Sequence, residues 1–221
     1  MTGRGQDSGT GGPRGDLVEA GARLHRLGFA PGASGNLSVR DGDRVLITPT
    51  GCELGALRPQ DLCVLGLDGT HLDGPRPSKE FPLHTAFYRR DPDTTAVVHL
   101  HARQAAAVSC RPAWSERSAI PPLTPYFVMR VGQTPLIPYA APGDPGQAAL
   151  LESLPFPFRA ALLQNHGPVV SGRGLESALD AAIELEEVCA LLLLLSGHGQ
   201  RHLSPPEIEE LTARYKTPWD L

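Results

Sequence analysis

Two groups of side chains in this sequence have types and spacings that could do chemistry. In "AVVHLHA" (96–102), His99 and His101 stand two positions apart behind a β-branched pair. On a strand, residues i and i+2 face the same side about 6–7 Å apart, so both rings could reach one ion. Alone, the pair reads more simply as two histidines on the polar face of a sheet. Two further features add to it. "QNHG" sets His166 at a strand end beside a glycine, and "PSKE" sets Glu80 in the first turn of a helix. A third imidazole and a carboxylate thus come from element ends, where sites are built. Three nitrogens and one oxygen suit Zn²⁺ or another divalent ion of similar preference.

The second group suits an anion. "GASGN" ending in Asn36, "TPTG" with Thr50 and Gly51, and Ser78 with Lys79 at a helix start offer hydroxyls, an amide, backbone N–H groups and the positive end of a helix dipole. These are phosphate-binding parts, although "TPTG" and "SGN" equally fit ordinary turns when each is read alone. Neither glycine pattern is a dinucleotide or P-loop fingerprint, which argues against a nucleotide.

Around these residues the chain interleaves helical and strand patterns. "DLVEAGARLHRLG" spaces Leu17, Ala20, Leu24 and Leu27 as a helix that closes on Gly28. "NLSVRDGDRVLITPTG" predicts a hairpin about Asp41-Gly42-Asp43, and "CVLGL" a strand entering the Asp68-Gly69 turn. "SKEFPLHTAFYRRDP" predicts a helix with Ser78 as N-cap that stops before Pro92. "TTAVVHLHA" predicts a strand handing over near His101 to a helix in "RQAAAVS". Strands are expected at "YFVMR" and "LIPY", then a helix in "GDPGQAALLESL" capped by Asp144. One more strand and turn in "RAALLQNHGPVVSG" precede a long helix, "LESALDAAIELEEVCALLLLL", whose apolar end reads as buried. Such interleaving indicates a layered α/β domain with a mixed sheet.

The chain has 221 residues, enough for one α/β domain with a real core. A net charge of −4 gives no reason to expect a nucleic-acid partner, so an anionic ligand must be caught locally. The four cysteines form no C-x-x-C pair and fit reduced thiols in a cytoplasm. Residues 1–15 are Gly-rich and lack an apolar signal-peptide core, reading as a disordered tail before a single domain over 16–221. The apolar run "LLLLLSG" is far short of the roughly 18 residues a membrane span needs.

The order "SGNLSVR", "LITPTG", "PSKE", "AVVHLHA", "NHG" resembles the class II aldolase/adducin family from Asp16 to the C-terminus. The resemblance implies a three-layer α/β/α fold with a mixed, largely antiparallel central sheet, assembled as a homotetramer with sites at subunit boundaries. It implies His99, His101 and His166 as metal ligands, and Glu80 as a carboxylate that both binds metal and moves protons. Asn36, Thr50, Gly51 and Ser78 fall at its phosphate site. Tyr126 falls where the aldolases carry a tyrosine contributed by a neighbouring subunit. One position departs: the sugar-phosphate aldolases typically read Ser-Ser-Glu where this chain has Ser78-Lys79-Glu80. With "PPLTPYFVMRVGQTPLIPY" and "PGDP", the lysine is similar to the branch that decarboxylates 3-oxo-tetronate 4-phosphates. That branch implies a phosphorylated sugar acid as substrate and dihydroxyacetone phosphate and CO₂ as products, through a metal-stabilised enediolate, with Lys79 on the phosphate. The alternatives are a sugar-phosphate aldolase and, from another class, a non-catalytic adducin-like binding domain, which lacks the metal set.

Overall fold

The computed structural model describes residues 12–220. Its elements run α1 (Pro13–Arg26), β1 (Asn36–Asp41), β2 (Arg44–Ile47), β3 (Cys63–Gly66), β4 (His71–Asp73), α2 (Phe81–Arg90), β5 (Ala96–His99), α3 (Arg103–Ser109), α4 (Pro125–Arg130), β6 (Leu136–Ile137), α5 (Pro145–Ser153), β7 (Ala160–Leu163), β8 (Gly167–Gly172), α6 (Leu175–Leu194) and α7 (Pro205–Tyr215). The strands form one sheet in the order β4-β3-β2-β1-β5-β8-β7-β6. Every neighbouring pair is antiparallel except β6 with β7. The expected mixed, largely antiparallel sheet is therefore present.

Alternation along the strands explains the layers. Leu37, Val39, Ala96, Val98, Leu162 and Val170 pack with residues of α1, α3, α4 and α6, such as Leu24, Ala105, Phe127 and Leu185. The intervening Val45, Ile47, Val97, Leu163 and Val169 pack with Leu83 and Phe87 of α2 and Leu151 of α5. The central strands are covered on both faces, hence their near-continuous apolar sequences. In β1 and β5 the alternation breaks on the α2 side, where Asn36, Ser38 and His99 replace apolar residues; the register sets Asn36 beside His99.

Several local expectations are corrected. "YFVMR" is not a strand but lies in α4: Pro125 takes the first position and Thr124 Oγ1 accepts from Phe127 N at 3.1 Å, a cap that outweighs the β-branched content. "RAALLQNHGPVVSG" holds two strands rather than one, because Asn165 adopts a left-handed φ of 57° and turns the chain back. Ser78 is not the N-cap of α2. Glu80 occupies that position, while Ser78 N bonds to Thr48 O in a bridge between Pro49 and Pro77. The first helix starts at Pro13, so residues 13–15 are helical rather than tail; 1–11 lie outside the described residues. The end of α6 is not buried, with Leu194 75% exposed. Two elements were not anticipated: β4, which is exposed, and α7, whose Ser204/Glu207 capping box was present in the sequence.

Candidate active site

The two paired histidines are not on one strand. β5 ends at His99, Leu100 N bonds to Pro168 O at 3.1 Å, and His101 lies in the link to α3. The start of α3 has no cap from its own N-cap residue, Ala102. Glu186 of α6 supplies one instead, its two oxygens accepting from Gln104 N and Ala105 N at 2.8 Å each. His166 sits in the β7–β8 turn, tied down by its N–H to Ser109 Oγ at 3.2 Å. Gly167 explains the "NHG" pattern: a Cβ there would lie 2.4 Å from Leu100 O, so only glycine lets β8 begin this close to the chain carrying His101. Glu80 enters from the opposite layer, at the head of α2.

These four side chains converge. One donor atom of each of Glu80, His99, His101 and His166 can be chosen so that all lie within 4.8 Å of one another. Glu80 Oε2 is 3.3 Å from His99 Nε2, Glu80 Oε1 is 3.3 Å from His166 Nε2, and His166 Nε2 is 3.0 Å from His101 Nε2. His99 is fully buried and donates from Nδ1 to Pro168 O at 2.8 Å, so its Nε2 lone pair is turned to the cluster. Glu80 Oε1 and His99 Nε2 are buried without any hydrogen-bond partner. Buried polar atoms are rarely left so. Bare imidazole nitrogens around a carboxylate fit a divalent ion.

Charge around the cluster is coupled. Burial opposes ionisation of Glu80, but the neighbouring His99, His166 and the Asn36 amide outweigh it and hold the carboxyl far below the usual range. Burial first, then the charge of His99, lowers His101 and brings His166 down to about 4; Lys79 contributes to both.

Of the expected anion-site residues, Ser78 is buried and accepts from Glu80 N at 3.3 Å, while Thr50, Gly51 and Lys79 are exposed. Thr50 N and Ser78 N are taken by Arg76 O and Thr48 O, which leaves these two residues their hydroxyls. Gly143 of "PGDP", at φ 89°, packs against Lys79: a Cβ there would come within 3.1 Å of its carbonyl oxygen and 3.3 Å of its Cβ. Asn36 differs from expectation, since its amide is engaged by Glu80 and His84 and only one N–H remains for a ligand. Tyr126 is 57% exposed on α4, with the Arg130 guanidinium 5.2 Å over its ring. Among the described residues no hydrogen bond joins it to the cluster.

Sequence reasoning missed His84, Ser38 and Tyr88, which lie buried behind Asn36. The signal was available: Asn36 and Ser38 alternate on one strand face, and His84 and Tyr88 are four apart on one helix face. Burial, then the charge of His99, pushes His84 down to about 3 against the pull of Glu80. An unfolded histidine titrates near 6.5, so below that pH the unfolded chain takes up a proton that the folded chain refuses. Stability of the metal-free protein is therefore expected to fall as pH drops from about 6.5 toward 3, by up to about 1.4 kcal/mol per pH unit for this group. His166 and His101 act in the same direction. Urea midpoints at pH 7.5, 6 and 5 check this; a constant midpoint would mean that no buried imidazole is held neutral.

The profile of the Class II Aldolase and Adducin N-terminal domain matches residues 15–193. The chain is 43% identical over 201 residues to a 3-oxo-tetronate 4-phosphate decarboxylase of Haemophilus influenzae, covering 90% of this chain and 96% of that one. It is 34% identical over 205 residues to an L-fuculose phosphate aldolase of Escherichia coli K12, covering 91% and 93%. The crystal structure of YgbL from Klebsiella pneumoniae superposes with a TM-score of 0.86 at 42% identity, over 90% of this chain and 97% of that one. Both in its sequence and in its fold, the chain belongs to the class II aldolase and adducin family.

Proposed function

We propose that this chain is a carbon–carbon lyase that decarboxylates a 3-oxo-tetronate 4-phosphate to dihydroxyacetone phosphate and CO₂. The observation that carries the reading is the convergence of His99, His101 and His166 on Glu80, the residue that directly follows Ser78-Lys79. Identity above 40% to relatives named as that decarboxylase supports the substrate class.

The substrate carries a carboxylate at C1, a hydroxyl at C2, a ketone at C3 and phosphate at C4. Breaking the C1–C2 bond sends its electron pair toward the C3 carbonyl and leaves an enediolate across C2 and C3, which takes one proton at C2. His99, His101 and His166 with Glu80 would hold Zn²⁺, which when bound supplies a Lewis acid for the charge developing on the C3 oxygen. Ser78, Thr50, Gly51 and the remaining Asn36 N–H orient the phosphate, so that the breaking bond aligns with the carbonyl π system. Lys79 pairs with the phosphate rather than the carboxylate, since tight pairing to the carboxylate would oppose CO₂ loss. Glu80, ionised at rest, takes a proton from water and passes it to C2. Tyr126, exposed on α4, is a second proton-transfer group offered to a neighbouring subunit, which requires a homo-oligomer, read here as a tetramer. Among the described residues no helix is long and apolar enough to cross a membrane, and the proposed setting is the cytoplasm. The domain that carries this activity is read as a single one over residues 16–221.

The deciding experiment assays CO₂ and dihydroxyacetone phosphate from both C2 epimers of the substrate. Release from neither, with aldol product formed from dihydroxyacetone phosphate and small aldehydes, would move the assignment to an aldolase, the reading favoured by the fuculose-phosphate aldolase relative. Lys79→Ser tests the residue that departs from Ser-Ser-Glu. It is expected to raise KM several-fold at low salt and to flatten the dependence of KM on ionic strength, with the metal retained. Superimposable salt curves with equal KM would remove Lys79 from the site.

A further inference from the structure

A chain of hydrogen bonds runs from the interior of α2 to Glu80, and its direction follows from one end. An ionised carboxylate only accepts, so the Asn36 atom 2.9 Å from Glu80 Oε2 is the amide nitrogen. Asn36 Oδ1 therefore faces His84 Nε2, 2.5 Å away, and a carbonyl oxygen there requires a donor. His84 thus carries its proton on Nε2. Its bare Nδ1 accepts from the Ser38 hydroxyl at 2.7 Å, and Ser38 Oγ accepts from the Tyr88 phenol at 2.6 Å. All four bonds point one way, from Tyr88 through Ser38, His84 and Asn36 to the carboxylate. None of the four residues is more than 4% exposed.

Four enclosed polar side chains are tolerated only when each is satisfied, and apolar residues would pack the same space without that demand. Here they end on the one carboxylate of the cluster, and they treat its oxygens unequally. Oε2 is held by Asn36, whereas Oε1 has no hydrogen-bond partner and lies 3.3 Å from His166 Nε2. Neutrality of His84 is needed for this arrangement, and a full enclosure in α2 against β1 provides for it.

We propose that His84, backed by Ser38 and Tyr88, is a positioning residue for Glu80: its Nε2–H orients the Asn36 amide, which pins Oε2 and leaves Oε1 as the working oxygen. The catalytic consequence rests on the role given above to Glu80, but the geometric one does not.

Nitrogen-15 NMR of the full chain, metal-free and zinc-loaded, reads the tautomer directly, with His84 assigned from the His84→Gln spectrum. A neutral ring protonated on Nε2 is expected, and protonation on Nδ1 overturns the proposal. Glutamine can place an N–H near the position of Nε2, whereas leucine cannot. In competition with a chromophoric chelator, His84→Leu is expected to bind zinc about 10-fold more weakly, and His84→Gln to return within about 3-fold of the parent. On the substrate, His84→Leu should lower kcat about 10- to 100-fold with KM within about 3-fold, again recovered by glutamine. A folded His84→Leu with parental zinc affinity overturns the proposal. Should His84→Leu fail to fold, Tyr88→Phe is the second variant. It should move the His84 Nδ1 resonance and weaken zinc about 2- to 3-fold, and no change in either overturns the chain. Absent decarboxylation with the tautomer and zinc effects intact would sink the proposed reaction and leave this inference standing.

Discussion

Glu80→Gln is expected to lower turnover by about 10²- to 10⁴-fold while the protein keeps its fold and about one divalent ion per chain. The structure says why the substitution should be tolerated. The Asn36 amide needs an acceptor at the position of Oε2, so the glutamine carbonyl oxygen takes that place. Its new amide group then falls at the position of Oε1, an atom that has no hydrogen-bond partner in the native side chain, beside His166 Nε2. Shape, the contact with Asn36 and one oxygen donor survive. The group able to exchange a proton does not. Turnover measured as CO₂ release, alongside metal content by elemental analysis, separates the two roles of this side chain: near-parental turnover with metal bound would rule Glu80 out as the proton carrier, and loss of metal would assign it mainly to binding.

What the sequence made legible divides along a physical line. Periodicity and caps act within a few residues, so α1, α5, α6 and the β1–β2 hairpin could be read directly: Asp144 Oδ1 accepts from Gly146 N at 2.8 Å as expected, and Gly42 turns the hairpin at φ 59°. "YFVMR" has the aromatic and β-branched content of a strand, but Thr124-Pro125 before it is a short-range helix-start signal, and the fold obeys that signal. The four converging donors were legible because each stands at an element end beside a residue with a constrained backbone or a strand terminus. Their packing partners were not. Glu186 caps α3 from 81 residues away, and His84 reaches Asn36 across 48 residues and two layers. No local pattern reports which strand face an α2 side chain will meet. The spacing of His84 and Tyr88 on one helix face, and of Asn36 and Ser38 on one strand face, becomes informative only once β1 is known to lie beneath α2.

His101→Ala should remove the ion from an otherwise folded protein, and among the three histidines it is the cleanest choice for that test. His99 is fully buried, so its removal would leave a cavity and confound loss of metal with loss of fold. His166 lies in a turn whose left-handed Asn165 and close Gly167 approach are set by the surrounding backbone. His101 is exposed and follows β5 in a link whose next helix is capped independently by Glu186, so alanine there deletes a donor and little else. Removing one of four donors is expected to weaken zinc by at least about 100-fold. Linkage turns this into a second readout: zinc at 100 times its Kd should stabilise the parent by about 2.7 kcal/mol, a rise of roughly 5–10 °C in Tm for a domain of this size. The His101→Ala protein should melt near the metal-free parent and show no such rise at the same zinc concentration. Full metal retention in single alanine variants of His99, His101 and His166 alike would mean that the ion is held elsewhere, and the convergence of their rings, with centroids 4.7–5.1 Å apart, would then need another explanation.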